Sequence, residues 1–390
     1  MSHLNTIFNQ LLSLVPRHEF EKSVSRSSAD KYVKYFSCWQ QFIVLLYAQI
    51  RKKESLRDIT SSLRTQNHKW YHIGLTNICR STLSDANSKR SFQVFEDLFY
   101  HLLHRCQDLT PKHKFRFKNP LYTIDATTVA LCLSLFPWAK YRQTKGALKM
   151  HFLYDHAGCL PSFLVLTEGR RAEIRIVKEA EFASKLLPDS IVSIDRAYID
   201  FKWLFQLNKQ GVFFVTRLKK NMAPIAAGQH APPKNRKVLN DQIVLPPGFF
   251  QSGGYHDQLR LVTYYGPDSE KTLQFLTNNF SLAPTTIAAI YKARWQIELF
   301  FKWIKQNLKI KSFLGTSQNA VLTQIWVAMC YYLLLSYIKY QTKFKYPLIE
   351  LSRVLRETLL DRVSLVDVLS LNSRTLFKLK AVDNPQLEFF

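Results

Sequence analysis

Paired cysteines, long apolar runs, internal repeats and acidic residues are all missing or scarce in this 390-residue chain, and each lack closes off a class of protein. Six cysteines stand at positions 38, 79, 106, 132, 159 and 330 with no CxxC pair among them. That spacing excludes a disulfide framework or a zinc module and fits a reducing cytoplasm. The two longest apolar stretches, 42–50 and 325–338, fall short of the roughly 20 residues a bilayer span requires, so both read as core helices. The opening MSHLNTIFNQLLSLVP has neither a basic lead nor a small-residue cleavage site, so no signal peptide is expected. No repeat or low-complexity tract is visible. Acids are outnumbered, 29 Asp and Glu against 54 Lys and Arg, a formal net charge of +25. In a chain that is 47% hydrophobic, too apolar to be disordered, such an excess favours a polyanionic partner, nucleic acid before an anionic membrane.

What is present is concentrated in YKARWQIELFFKWIK, residues 291–305. Offsets of 0, 3, 7 and 14 put Tyr291, Arg294, Glu298 and Lys305 within about 60° of arc on one helix face, and Lys302 extends the stripe. Nearly everything else on that helix is apolar, which predicts burial. A carboxylate among cations and a phenol in such a place is costly unless it is paired or binds a metal. The stripe therefore reads as a working site for phosphate.

The surrounding pattern predicts an α/β protein. Residues 1–112 read as a helical DNA-binding domain, with a capping box at Ser55 and Asp58. Its short polar segment RSTLSDANSKR (80–90), with Ser81 as N-cap, suits either a DNA groove or a solvated surface. After a basic, proline-bounded linker at 111–120, strands are expected at 121–133, 150–154 and 163–167, a helix at 174–187, a strand at 190–195, a helix at 198–208 and a strand at 211–218. Three strands, helix, strand, helix, strand is the ribonuclease H order. The core, 118–218 and 283–340, would be interrupted by a β-rich insertion at 219–282. Pro284 would then open a helix running through 291–310, and 341–390 would be a helical C-terminal region.

Asp125 closes the apolar run LYTID and Asp195 closes SIVSID. With Glu298 they make three acids on three elements, a set that repels itself unless hard cations such as Mg²⁺ or Mn²⁺ are bound. Two such ions suit phosphodiester chemistry. Asp155, Glu168, Glu173, Asp189 and Asp200 compete for these roles, with Asp155 and Glu168 read as solvated. Lys140, Arg142, Lys145 and Lys149 form an acid-free cluster suited to a DNA backbone, as do the lysines of 292–311. Trp138, Trp295 and Trp303 lie among these cations and suit either base stacking or core packing.

The spacing Y-x2-R-x3-E-x6-K, together with SIDRAYIDF, FFVTRLKKN and FLTNNF in this order, resembles DDE transposases of the insertion-sequence-four family over residues 40–340. The resemblance implies that Asp125, Asp195 and Glu298 bind two Mg²⁺ ions, with Mn²⁺ able to substitute. It also implies nicking at the element's ends, hairpin formation and strand transfer. Tyr291 and Arg294 would hold the phosphate of a flipped nucleotide, and Lys305 would contact end DNA. The partners would be double-stranded DNA, as terminal inverted repeats and target, and a second copy in a paired-end dimer. The setting would be the bacterial cytoplasm and nucleoid, with no membrane. A silent DNA-binding derivative and a ribonuclease H-like nuclease without strand transfer are the alternatives. A carboxylate-pair glycosidase does not account for the charge.

Overall fold

The computed structural model describes residues 5–142, 145–219, 221–230, 235–247, 249–250, 254–266, 270–310 and 312–370. The chain forms two compact units, one from 1–110 with 305–390 and the other from 111–304.

The first unit is helical. Ser37 accepts from the Gln40 N–H while Gln40 reaches back to the Ser37 N–H, a complete capping box that starts the Cys38–Ile50 helix. Ser55 caps Leu56–Arg64 through the Asp58 N–H at 3.1 Å, but Asp58 accepts from Glu54, so only half of the expected box forms. The polar helix is Arg80–Lys89. Its N-cap is Cys79, with no side-chain cap, so Ser81 does not fill that role.

The long Gln318–Gln341 helix packs against Gln93–Gln107, Cys38–Ile50, Arg80–Lys89 and Leu348–Thr358. Surrounded in this way, it is apolar on every side, and Trp326 lies 5.2 Å from Phe99 and 6.1 Å from Tyr100 between ring centroids. By length and composition it would cross a membrane, yet 94% of its apolar window is buried, as in the interior of a helical unit. The C-terminal helices are Leu348–Thr358 and Leu365–Ser370, and residues 371–390 lie outside the described residues.

The second unit is built on one mixed sheet. Its strands are β1 (Leu121–Leu131), β2 (Lys140–Arg142), β3 (Lys145–Asp155), β4 (Leu160–Glu168), β5 (Ile191–Ile194), β6 (Phe213–Arg217), β7 (Ile225–Gln229), β8 (Val238–Leu245), β9 (Leu259–Gly266) and β10 (Lys271–Thr277). The order is β2-β3-β1-β5-β6-β10-β9-β8-β7, with β4 also paired to β3. β1, β5 and β6 run parallel; the other pairings are antiparallel. The strands expected at 121–133, 150–154 and 163–167 are β1, β3 and β4, which pair antiparallel in that order.

The strands of 219–282 do not make a sheet of their own. β10 pairs with β6 from Phe275↔Arg217 to Thr277↔Val215, so the stretch extends the central sheet. The helix expected at 174–187 is two short ones, Glu173–Val177 and Ala180–Ala183, and the next is a 3₁₀ turn, Arg196–Tyr198, followed by Phe201–Lys209.

The helix expected from Pro284 through 310 is also divided, into Pro284–Ala293 and Trp295–Asn307. At the break the Arg294 N–H donates to the Tyr291 carbonyl and the Ile297 N–H to the Arg294 carbonyl, at 3.2 and 3.1 Å. These i to i−3 bonds tighten the turn and locally interrupt the α ladder. Leu121, Ile191, Val215, Val262, Phe275, Ile287 and Ile290 form a core that ties Pro284–Ala293 to the sheet.

Candidate active site

Parallel pairing of β1 and β5 runs from Leu121↔Ile191 to Ile124↔Ile194 and stops. Asp125 and Asp195 are the next residue on each strand, which brings the two carboxylates side by side. Only one of them ends its strand. β5 finishes at Ile194 and Asp195 leads into the 3₁₀ turn, whereas Asp125 is the fifth of eleven residues in β1, which continues against β3 to Leu131. Asp125 therefore closes the apolar run but not its strand, and it is the neighbouring strand that ends there.

Arg294, at the helix break, reaches this point. Its Nη1 lies 3.1 Å from Asp125 Oδ2 and its Nη2 2.7 Å from Glu298 Oε1. The guanidinium side chain is 12% exposed, sits 5.6 Å above the Tyr291 ring, and leaves Nε buried without a hydrogen-bond partner. Asp125 Oδ1 accepts from the Ala126 N–H at 2.8 Å. Burial pushes the Asp125 carboxyl up to about 6, against the pull of that N–H and of Arg294, and with the help of the Asp195 and Glu173 charges.

Glu173, only a competitor in the sequence, thus faces the same cluster. It pairs with Lys149 at 3.4 Å, and Lys149 also donates to the Arg171 carbonyl, so this lysine serves the interior of the unit. Tyr198 is buried, its hydroxyl has no partner, and burial followed by the charges of Glu173, Asp125 and Asp195 raises its pKa. Neither Glu173 nor Tyr198 carries a local sequence signal that separates it from other acids and tyrosines. The tertiary neighbourhood identifies them.

Two of the remaining competitors, Asp155 and Asp200, have local duties. Asp155 is half-buried and accepts from the Ala157 N–H at 2.7 Å, closing the β3–β4 turn, and so is not the solvated acid expected. Asp200 caps Phe201–Lys209 and pairs with Lys178 at 2.6 Å.

Among the basic residues predicted to bind DNA, Lys302 is exposed one turn beyond Glu298. Lys305 follows on the same helix and, with Lys52 and Lys309, lines a cavity of about 220 Å³ in the helical unit. The backbones of Lys140 and Arg142 form β2 and that of Lys145 opens β3, while their side chains lie outside the described residues. Trp295 and Leu299 are 57% and 55% exposed, so the apolar surface beside Glu298 is open and not the buried face expected.

A cavity of about 460 Å³ opens next to Arg294. Tyr264 and Leu273 from β9 and β10, with Phe275, Tyr291 and Trp295, supply its apolar walls, and Lys237, Lys292 and Arg294 bring cations to it. Phe275 and Tyr291 lie 5.1 Å apart between ring centroids. No aromatic of 219–282 stood out in the sequence, because Tyr264 and Phe275 read there as ordinary strand residues.

The donor set Asp125, Asp195 and Glu298 is all oxygen, which suits a hard divalent cation. Among the described residues, no group of three His, Cys, Asp or Glu side chains stands close enough to hold one ion. A guanidinium fills the cation's role between two of the acids.

The family profile described as "Transposase DDE domain" matches residues 116–334, and a second, described only as a domain of unknown function, matches 3–76. A putative transposase of Sinorhizobium fredii is 32% identical over 289 residues, 72% of this chain and 77% of that protein. A probable transposase for insertion sequence element IS5377 of Geobacillus stearothermophilus is 27% identical over 69% of this chain and 70% of that protein. Among solved structures, a piggyBac transposase synaptic complex with hairpin DNA is 12% identical at a TM-score of 0.45, covering 98% of this chain and 81% of that one, a likeness too slight to define the fold.

Proposed function

The chain belongs to the transposase DDE domain family, and on that premise we propose that it is a cut-and-paste transposase of the insertion-sequence-four type with a ribonuclease H-like core. The observation that carries this reading is that Asp125 and Asp195 stand abreast one residue past the end of the β1–β5 ladder, with Glu298 joined to Asp125 through Arg294. Asp125, Asp195 and Glu298 would hold two Mg²⁺ ions, or Mn²⁺. When bound, such ions lend Lewis acidity to the attacking and leaving oxygens of a phosphodiester.

In this reading a nick at the element's end exposes a 3′-hydroxyl. That hydroxyl attacks a phosphodiester of the opposite strand and expels the 3′-oxygen of the flanking DNA, closing a hairpin, which water reopens to free the 3′-hydroxyl for transfer into target DNA. For the acids to take ions, Arg294 leaves them, and its released guanidinium pairs with a phosphate beside the Tyr291 phenol. The adjoining cavity, walled by Tyr264, Phe275 and Trp295 with cations at its margin, has the size and chemistry for an extruded nucleotide. Lys302, Lys305, Lys140, Arg142 and Lys145 would hold the DNA backbone of paired ends in a homodimer.

One observation favours a second reading. Arg294 already neutralises Asp125 and Glu298, as it would in a silent DNA-binding derivative. Incubation with duplexes carrying the element's terminal inverted repeats and Mg²⁺ separates the two. The transposase is expected to yield nicks, hairpins and joined products, all lost in Asp195→Ala while end binding persists. Binding with no cleavage would establish the silent protein, and nicks that never become hairpins would indicate a simple nuclease.

A further inference from the structure

Arg294 joins Asp125 to Glu298 through their own carboxylates, so that tie gives way when the acids take another cation. A second tie joins the same strand to the same helix and uses neither acid. Its centre is His156, buried at the β3–β4 turn. His156 Nε2 lies 2.8 Å from the Thr123 hydroxyl on β1, and the ring is also hydrogen-bonded to the side chain of Gln296 on the Trp295–Asn307 helix. Thr123 stands two residues before Asp125, which puts both on one face of β1, and Gln296 stands two residues before Glu298.

The bridge is fixed from several directions. The His156 backbone N–H donates to the Leu121 carbonyl at 3.0 Å, which carries the β1–β3 pairing into the turn. Gly158 and Cys159 turn the chain with φ of 69° and 56°, and the Cys159 thiol reaches Gln296 Oε1 at 3.7 Å. Tyr154 sets its ring edge-on to His156 at 5.7 Å between centroids and packs on Phe300 of the Gln296 helix at 5.4 Å. Burial pushes the imidazole down to about 4, against the Gln296 hydrogen bond and with the help of His113. A neutral imidazole has one N–H and one lone pair. It can therefore accept from the Thr123 hydroxyl and donate to the Gln296 carbonyl oxygen at once, and it adds no charge beside the acids.

Carboxylates from a strand and a helix share an ion only if their oxygens are held to within about half an ångström, by groups that are not themselves ligands. Arg294 holds these acids while no ion is bound, and the His156 bridge is untouched by the exchange. We propose that His156 is a positioning residue, a neutral bridge from Thr123 to Gln296 that keeps Glu298 at the separation from Asp125 that divalent ions require once Arg294 has withdrawn. This rests on the reading of Asp125, Asp195 and Glu298 as metal ligands.

Mn²⁺ binding to the full-length protein without DNA tests it, with free ion followed by electron paramagnetic resonance and Asp195→Ala as the control for the acids. His156→Phe keeps a ring and removes both hydrogen bonds, and is expected to weaken Mn²⁺ binding at least about tenfold. His156→Gln keeps a donor and an acceptor and should restore part of that loss. Gln296→Leu changes an exposed position, so it should melt with the wild type and still weaken Mn²⁺ binding, by less. Because the two side chains act as one bridge, the double variant should bind no more weakly than His156→Phe alone.

A histidine that only packs would lower the melting temperature of His156→Phe and leave Mn²⁺ affinity at the wild-type value, and that result would overturn the proposal. So would unchanged affinity in Gln296→Leu, which decides the matter if His156→Phe does not fold. Losses that simply add in the double variant would overturn it as well. If the wild type takes up no Mn²⁺, or Asp195→Ala takes up as much, the acids are not ligands, and the metal-site reading fails together with the bridge.

Discussion

At the β8–β9 end of the sheet, Arg260 gives Nε and Nη2 to the two oxygens of Asp241 at 2.8 and 2.7 Å, and Nη1 to the carbonyls of Leu282 and Asn279. Both side chains are all but sealed, 2% and 1% exposed. Where the β1–β5 pairing stops, Arg294 divides itself between two acids from different elements, leaves Nε without a partner, and keeps some contact with solvent, as do Asp125 and Glu298 at 18% and 32%. The first pair has every donor it uses matched in one fixed geometry, as structure requires. The second is a counter-ion in a cluster with more acid than cation, where the partner can be exchanged. Two arginines serving carboxylates in one sheet thus differ in what their surroundings let them give up.

Removing one partner at each place should separate the two most clearly. Asp241→Ala strands the Arg260 charge in the interior and is expected to cost about 3–5 kcal/mol in urea unfolding. A loss below 1 kcal/mol would erase the distinction drawn for this pair.

A pH scan gives a middle-sized effect on the incompletely satisfied side. His151, opposite Ala126 on β3, has Nε2 2.9 Å from Thr167 Oγ1 and Nδ1 unpartnered. Burial, with help from Lys149 and Arg171, lowers its pKa to about 3. The unfolded chain takes up a proton near 6.5 and the folded one does not, so stability is full above that value and falls as the pH drops toward 3. Between pH 7 and 5 this one group should cost about 2 kcal/mol, and His151→Gln should remove that share of the slope.

The smallest change is expected for Arg294→Gln, about 1–2 kcal/mol, because Asp125, whose carboxyl burial already raises to about 6, can take up a proton once its counter-ion is gone. Millimolar Mn²⁺ should raise the melting temperature of this variant more than that of the wild type, since the competing guanidinium is gone. An equal shift in both would mean that Arg294 does not occupy the ions' place.

Much of this arrangement was legible in the chain. Asp125 and Asp195 close short apolar runs that do form the adjacent strands β1 and β5, and the stretch 219–282, expected to be β-rich, does hold β8, β9 and β10. Period-two and period-3.6 patterns report burial locally, so they survive translation into structure. The errors share a different origin. The end of the apolar run at Asp125 marks where the neighbour β5 stops, while β1 itself runs on against β3, and no window on 121–131 shows which partner ends where. Arg294 breaks the helix through i to i−3 bonds that its own αR dihedrals do not betray. The strand character of 219–282 was readable, yet its union with β6 was not, because register across a sheet depends on residues far apart in the chain.

By itself the sequence determined which side chains exist and in what order: an excess of cations, three acids on separate elements, and Tyr291, Arg294, Glu298 and Lys305 at helical intervals. Those follow from residue identity and local period. Only the tertiary structure decided who pairs with whom. The end of the β1–β5 ladder set the two aspartates abreast, and the tightened turn at Arg294 aimed its guanidinium at Asp125 as well as Glu298. Each of these depends on elements brought together through the fold, where a carboxylate or guanidinium takes whichever partner best replaces the water it has lost.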